Sequence, residues 1–122
     1  MASPREKPTP AAVKGRLWIE TDGGIALNDA AADLLEQIEA SGSLSEAARR
    51  LRYSYRRAWM LIDKANRTWP QPLVTLSTGG KRGGGAQLTE TGLHVLSAYR
   101  DLQIHFEHFL TDASARFKRQ IP

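Results

Sequence analysis

No cysteine occurs in the 122 residues. This excludes a disulfide framework and any thiolate metal site, and it fits a reducing, cytoplasmic setting. No apolar run approaches the roughly 20 residues that a membrane-spanning helix needs. The opening MASPREKPTPAAVK lacks the apolar stretch of a signal peptide. With Pro4, Pro8 and Pro10, residues 1–14 read as a disordered lead. A nucleophile with a recognisable base and orienter is also missing. Of the histidines, His105 and His108 are three apart and His94 lies eleven before His105, with no H-E-x-x-H. Neither an enzyme nor a metal centre is expected.

Charge of one sign is absent over a long segment. From Glu20 to Glu46 there are seven acids and no Lys or Arg. From Arg49 to Arg82 the balance inverts, with nine bases against the single acid Asp63. Such segregation places a positive field on one part of the surface. A solvated helical face is the alternative, and the elements the block coincides with decide between them. The apolar fraction of 41% is that of an ordinary globular chain. One domain is expected over residues 15–118, with a tail at 119–122.

Residues 15–28, GRLWIETDGGIALN, have the alternation of a short hairpin turning at Asp22-Gly23-Gly24. Asn28 or Asp29 can cap a helix over 29–40, with Ala31, Leu34, Leu35 and Ile38 on its inner face. Gly42 suits the left-handed position after that helix. Ser43 then opens another, and Glu46, three residues on, completes a capping box. Leu44, Ala47, Ala48 and Leu51 face inward, and the two alanines permit close helix approach. Arg52-Tyr53-Ser54 forms a corner, with Ser54 as N-cap of the next helix. At 100° per residue, Ala58, Leu61, Ile62, Ala65 and Trp69 fall on one side of it, with Arg56, Met60 and Arg67 nearly opposite. Pro70 and Pro72 stop it.

Leu73–Leu76 and Ala86–Leu88 read as strands flanking Gly79-Gly80-Lys81-Arg82-Gly83-Gly84-Gly85. A phosphate-binding loop would need Ser or Thr after Gly80-Lys81 and a helix starting there. Arg82 and a strand stand there instead, so the segment reads as a wing, with Lys81 and Arg82 at its tip. Thr89 caps a long helix from Glu90 to about Lys118. Val95, Tyr99, Leu102, Phe106, Phe109 and Ala113 recur on it at steps of four and three, a heptad seam. Part of that seam belongs against the 29–40 helix, and the distal half from Phe106 is expected to pair with a second chain.

The whole is mainly α with small β hairpins: a winged helix-turn-helix with a long C-terminal dimerisation helix. A helix-turn-helix inserts the start of its second helix into the major groove. That geometry aims Tyr55, Arg56, Trp59 and Met60 at base edges. Arg56 suits guanine N7 and O6, and Met60 a thymine methyl. For Trp59, groove contact and core packing stay open. Ser43, Ser54, Arg57 and Lys64 are placed on the DNA backbone.

The residues Gly42-Ser43-Leu44-Ser45, Ala47-Ala48, Ser54-Tyr55-Arg56, Ala58-Trp59 and Asn66 resemble the N-terminal DNA-binding domain of the ModE family of molybdate-responsive regulators. So do Thr78-Gly79-Gly80-Lys81, Gly83-Gly84-Gly85-Ala86, Leu88-Thr89 and Gly92. The winged domain of LysR-type regulators is more distantly similar. The resemblance runs from about Arg16 to Leu102. It implies a winged helix-turn-helix dimerised through its first and last helices and acting on double-stranded DNA as a bacterial transcriptional regulator. Arg52 stands where relatives often have a turn glycine, and Tyr53 where they usually have a small aliphatic residue. Arg82 interrupts the glycine run, and Ala65 replaces a larger apolar residue. ModE proteins proper continue into a molybdate-binding domain with a Ser-Ala-Arg-Asn-Gln type motif. Here Ser114-Ala115-Arg116 is followed by Phe117, so molybdate enters only through the resemblance and no cofactor is expected on these residues. The sequence leaves open whether signal arrives by molybdate, by another oxyanion or by a separate effector protein. The rival expectation is a protein-interaction module that uses the same scaffold and the last helix to bind another regulator.

Overall fold

A computed structural model describes residues 11–77 and 85–122. The first hairpin pairs β1 (Ile19–Thr21) with β2 (Gly24–Leu27), antiparallel with an irregularity between Ile19 and Glu20. Its turn is possible because Gly24 takes φ 107°, which side chains resist. The strand starts later than the alternation suggested. Leu17 packs on the core ahead of it, and Trp18 lies outside with its indole N–H donating to Glu20 at 2.8 Å.

Helix α1 (Asp29–Ser41) is capped by Asn28, whose Oδ1 accepts from Ala31 N at 3.0 Å. It ends at Gly42 in the left-handed region, φ 73°. Ala31, Leu34, Leu35 and Ile38 are buried, together with Ala32. Helix α2 (Leu44–Leu51) starts from Ser43, whose Oγ accepts from Glu46 N at 3.1 Å. The expected return half of the capping box is not formed. Ser43 N–H donates instead to Ser41 Oγ at 3.3 Å, and the Glu46 carboxylate turns outward to Arg49 and Arg50. Two guanidiniums offer that carboxylate charge-assisted bonds, which outcompete one neutral N–H.

Arg52 follows at φ 62°, the sole non-glycine residue with positive φ among the described residues. Its N–H closes on Arg49 O and that of Tyr53 on Ala48 O, which sets the corner into α3 (Tyr55–Thr68). Ala47 and Ala58 are both fully buried, so α2 and α3 meet over small side chains. Trp69 lies just beyond α3 as its C-cap, half-buried, with its indole N–H on Ala26 O at 3.2 Å.

The second hairpin pairs β3 (Val74–Ser77) with β4 (Gly85–Leu88) in register from Val74↔Leu88 to Ser77↔Gly85. One further backbone bond, Ala86 N to Gly42 O at 3.0 Å, ties β4 to the bend between α1 and α2. Thr89 caps α4 (Glu90–Arg119), which runs for 30 residues.

Helix α4 crosses the back of α1. Tyr99 is 1% exposed, and its hydroxyl proton is shared between Leu17 O at 2.8 Å and Asp29 Oδ1 at 3.1 Å. Arg100 reaches Asp33 at 2.9 Å and also Glu36, while Gln103 donates to Asp29 at 2.9 Å. Burial works against the Arg100 charge, but the hydrogen bonds to Asp33 and Glu36 outweigh it and hold its pKa above the ordinary value. Residues 11–17 lie along the far part of α4, with Val13 N donating to Ser114 Oγ at 2.8 Å.

Burial first, and the hydrogen bond to Asp29 second, push the Tyr99 hydroxyl from 10.0 up to about 12. Between those values the unfolded chain releases this proton and the folded chain keeps it. The stabilisation is complete below pH 10 and is lost as pH rises towards 12, by roughly 2–3 kcal/mol. Urea unfolding of the wild type and Tyr99→Phe from pH 9 to 12 should show this alkaline loss in the wild type alone. Parallel curves would mean that Tyr99 is not the group responsible.

Candidate nucleic-acid interface

Helix α3 lies in the fold with its inner face, Ala58, Ile62 and Ala65, sealed in the core. Its opposite face is therefore presented to water. There Tyr55 is 55% exposed, Trp59 45% and Met60 54%. This resolves Trp59: it belongs to the outer face and not to the core. Ser54, Arg56, Arg57, Trp59, Met60 and Lys64 line one shallow depression on this surface. Ser54 caps the helix, its Oγ accepting from Arg57 N at 3.0 Å, so the positive end of the helix dipole opens at the same place.

The basic block divides into two groups. Arg49 and Arg50 are tied to Glu46, and Arg67 to Asp63 at 3.0 Å. The hydrogen bonds from Arg49 and Arg50 hold the Glu46 carboxyl below its ordinary pKa, and Glu46 in turn raises that of Arg49. Arg56, Arg57 and Lys64 form no ion pair among the described residues, and all three are exposed. Arg52, at the corner before α3, is likewise exposed and without an ion pair, so four described bases of the block stay uncompensated, three of them on α3 beside three large apolar side chains. That combination suits a polyanion whose grooves also carry flat and apolar edges.

Ser43 sits half-buried at the start of α2, its hydroxyl oxygen occupied by the cap. Its proton is still available to donate. Lys81 and Arg82, expected at the wing tip, lie outside the described residues. The wing's root is described, and Asn66 sets it. Asn66 Oδ1 accepts from Leu73 N at 2.8 Å and Val74 N at 3.1 Å, while Nδ2 donates to Val74 O at 2.9 Å. One side chain on α3 thereby holds the first strand of the second hairpin. Sequence reasoning assigns Asn66 no such role. An amide one turn before a Trp-Pro break is the available signal.

The heptad seam separates into two parts. Tyr99 is core, Val95 is half-buried against it, and Phe106 packs over Gly15 of its own chain, so these three face inward. Leu102 remains 45% exposed and Phe109 61%. The expected groove-facing residues come together on one surface, whereas the expected seam residues differ in burial, from core Tyr99 to exposed Leu102 and Phe109. No described helix is long and apolar enough to cross a membrane.

A helix–corner–helix followed by a two-stranded wing and a long closing helix defines the winged helix-turn-helix class. Solved structures of the same form include a mutant of S. aureus MepR, with TM-score 0.56 and 15% identity over 70% of this chain and 64% of that one. A second S. aureus MepR mutant, bound to an oligodeoxyribonucleotide, gives TM-score 0.55, with the same identity and coverage. In sequence, the chain is homologous to the ModE regulators. It is 43% identical over 101 residues to the molybdenum transport protein ModE of Azotobacter vinelandii, covering 83% of this chain and 37% of that one. To the transcriptional regulator ModE of Haemophilus influenzae it is 39% identical over 66% of this chain and 33% of the relative. With the DNA-binding transcriptional dual regulator ModE of Escherichia coli it shares 42% identity over 54% of its length and 25% of the relative's. The chain thus spans about a third or less of the length of most curated relatives it matches. No family model matches it.

Proposed function

We propose that this chain is a sequence-specific double-stranded DNA-binding transcriptional regulator of the ModE type, acting in the cytoplasm as a homodimer on a pseudo-palindromic operator. The carrying observation is the outer face of α3, where Arg56, Arg57 and Lys64 lack ion pairs among the described residues and line one depression with exposed Trp59 and Met60, while exposed Tyr55 stands in the first turn of the same helix. On this reading α3 enters the major groove, and Arg56 forks onto a guanine while Trp59 and Met60 meet thymine methyls. Ser43, Ser54, Arg57 and Lys64 bind phosphates, and Lys81 and Arg82 extend contact from the wing. Two copies joined through the exposed stripe of α4, with Leu102 and Phe109, would set their recognition helices about 34 Å apart or a multiple of it.

The test is fluorescence anisotropy of a labelled duplex from the gene's own upstream region, against a scrambled duplex, across salt concentrations. Because relatives carry names that refer to molybdenum transport, it is run with and without molybdate. Salt-steep binding that favours the native duplex is expected. Arg56→Ala should cost about 1–3 kcal/mol on the native duplex and relax preference at one base pair. Lys64→Ala should weaken both duplexes alike and shallow the salt slope by about one. Equal, sequence-independent losses from both would refute this division of roles. The exposed apolar stripe of α4 favours a second reading, a module that docks on another regulator. That reading takes over if neither duplex binds with salt dependence and a protein partner is recovered instead.

A further inference from the structure

Of the three α3 cations without an ion pair among the described residues, Arg57 alone has a described side-chain partner, and that partner carries no charge. Its guanidinium carbon lies 4.0 Å from the centre of the Tyr53 ring. We propose that Tyr53 is a positioning residue for DNA-backbone binding, holding the Arg57 guanidinium ready for a phosphate. This rests on the DNA-binding reading of α3 and deepens it.

Tyr53 is itself held at both its backbone and its side chain. Tyr53 N–H bonds to Ala48 O at 2.9 Å, and its side chain packs half-buried against the core. It sits between left-handed Arg52 and the cap residue Ser54. Arg57 is held at its backbone by Ser54 Oγ at 3.0 Å. A guanidinium carbon 4.0 Å from the ring centre is at cation–π distance, and the ring offers no carboxylate to occupy its N–H donors, so a phosphate oxygen pair can still accept from them. Arg49, Arg50 and Arg67 are ordered differently, by carboxylates that also cancel their charge. An aromatic ring orders a guanidinium and leaves its full charge for the ligand. Ordering before binding removes rotamer entropy that would otherwise oppose binding.

The experiment is a double-mutant cycle between Tyr53 and Arg57, read as duplex affinity at fixed salt on native and scrambled duplexes. Tyr53→Leu should weaken both duplexes alike by about 2–5-fold. In the Arg57→Ala background the same change should have no effect, because nothing is left to position. Tyr53→Phe keeps the ring and should bind as the wild type does. Tyr53→Met, which fills the space without a ring, should behave as Leu does and serves if the Leu variant melts early. Equal losses from Tyr53→Leu in both backgrounds would overturn the proposal, and so would a Phe variant as weak as Leu. If the wild type shows no salt-dependent duplex binding, the DNA-binding reading fails. If it binds but the cycle shows no coupling, only the role of Tyr53 fails.

Discussion

Gly92→Ala should destabilise the fold by about 3 kcal/mol or more, although alanine is the better helix former by about 1 kcal/mol. A Cβ at Gly92 would overlap Leu73 O and lie 3.0 Å from Leu73 C. The obstacle is backbone, and that backbone cannot yield cheaply. Leu73 is fully buried, its N–H is held by Asn66, and its carbonyl accepts from Thr89 N at 2.9 Å. The first turn of α4 is therefore pressed onto the start of β3, and a methyl group would part them. Urea unfolding should show a lower midpoint at unchanged slope. Ser97→Ala, on the exposed face of α4, is the control and should change little. A Gly92→Ala chain as stable as the wild type would mean that α4 and β3 can separate there without cost.

If the chain dimerises as proposed, Phe109→Glu should give a soluble monomer and weaken binding to a two-half-site duplex by on the order of 10²–10⁴-fold, leaving single half-site binding nearly unchanged. Phe109 is 61% exposed and stacks on Phe106, with ring centres 6.5 Å apart. Phe106, where the distal half of the seam begins, is less suitable because its ring packs over Gly15 and its loss would disturb the chain's own packing. Analytical ultracentrifugation reads the mass, and two duplexes with one and two half-sites read the coupling. A wild type that is monomeric at micromolar concentration would remove the dimer from the proposal. A Phe109→Glu chain that remains dimeric would move the interface elsewhere.

Much of the fold could be read from local sequence because its signals are local. Asn28, Ser43, Ser54 and Thr89 each cap the helix that follows, and each does so with its own side chain on the next turn's N–H. Gly42 and Gly24 mark backbone that only glycine adopts easily, and both have positive φ. The core faces of α1 and α3 follow from helical periodicity, because burial selects apolar residues at that period. The capping box is only half formed because Ser-x-x-Glu says nothing of competing partners. Arg49 and Arg50 are i+3 and i+4 neighbours of Glu46, and their charge wins it.

What the sequence by itself determined is the element order, the caps, the inward faces and the placing of excess positive charge between Arg49 and Arg82. Each of these depends on residues within a few positions of one another. The tertiary structure alone decided which described bases of that block are uncompensated, because Glu46 and Asp63 neutralise three arginines and leave Arg52, Arg56, Arg57 and Lys64. It also decided that Trp59 faces outward, since helix rotation is set by what packs beneath Ala58 and Ile62 and not by the tryptophan itself. The seam on α4 divided for the same reason. A heptad pattern records that a face is apolar, but only the position of α1 and of residues 11–17 determines how much of that face the chain covers with its own atoms.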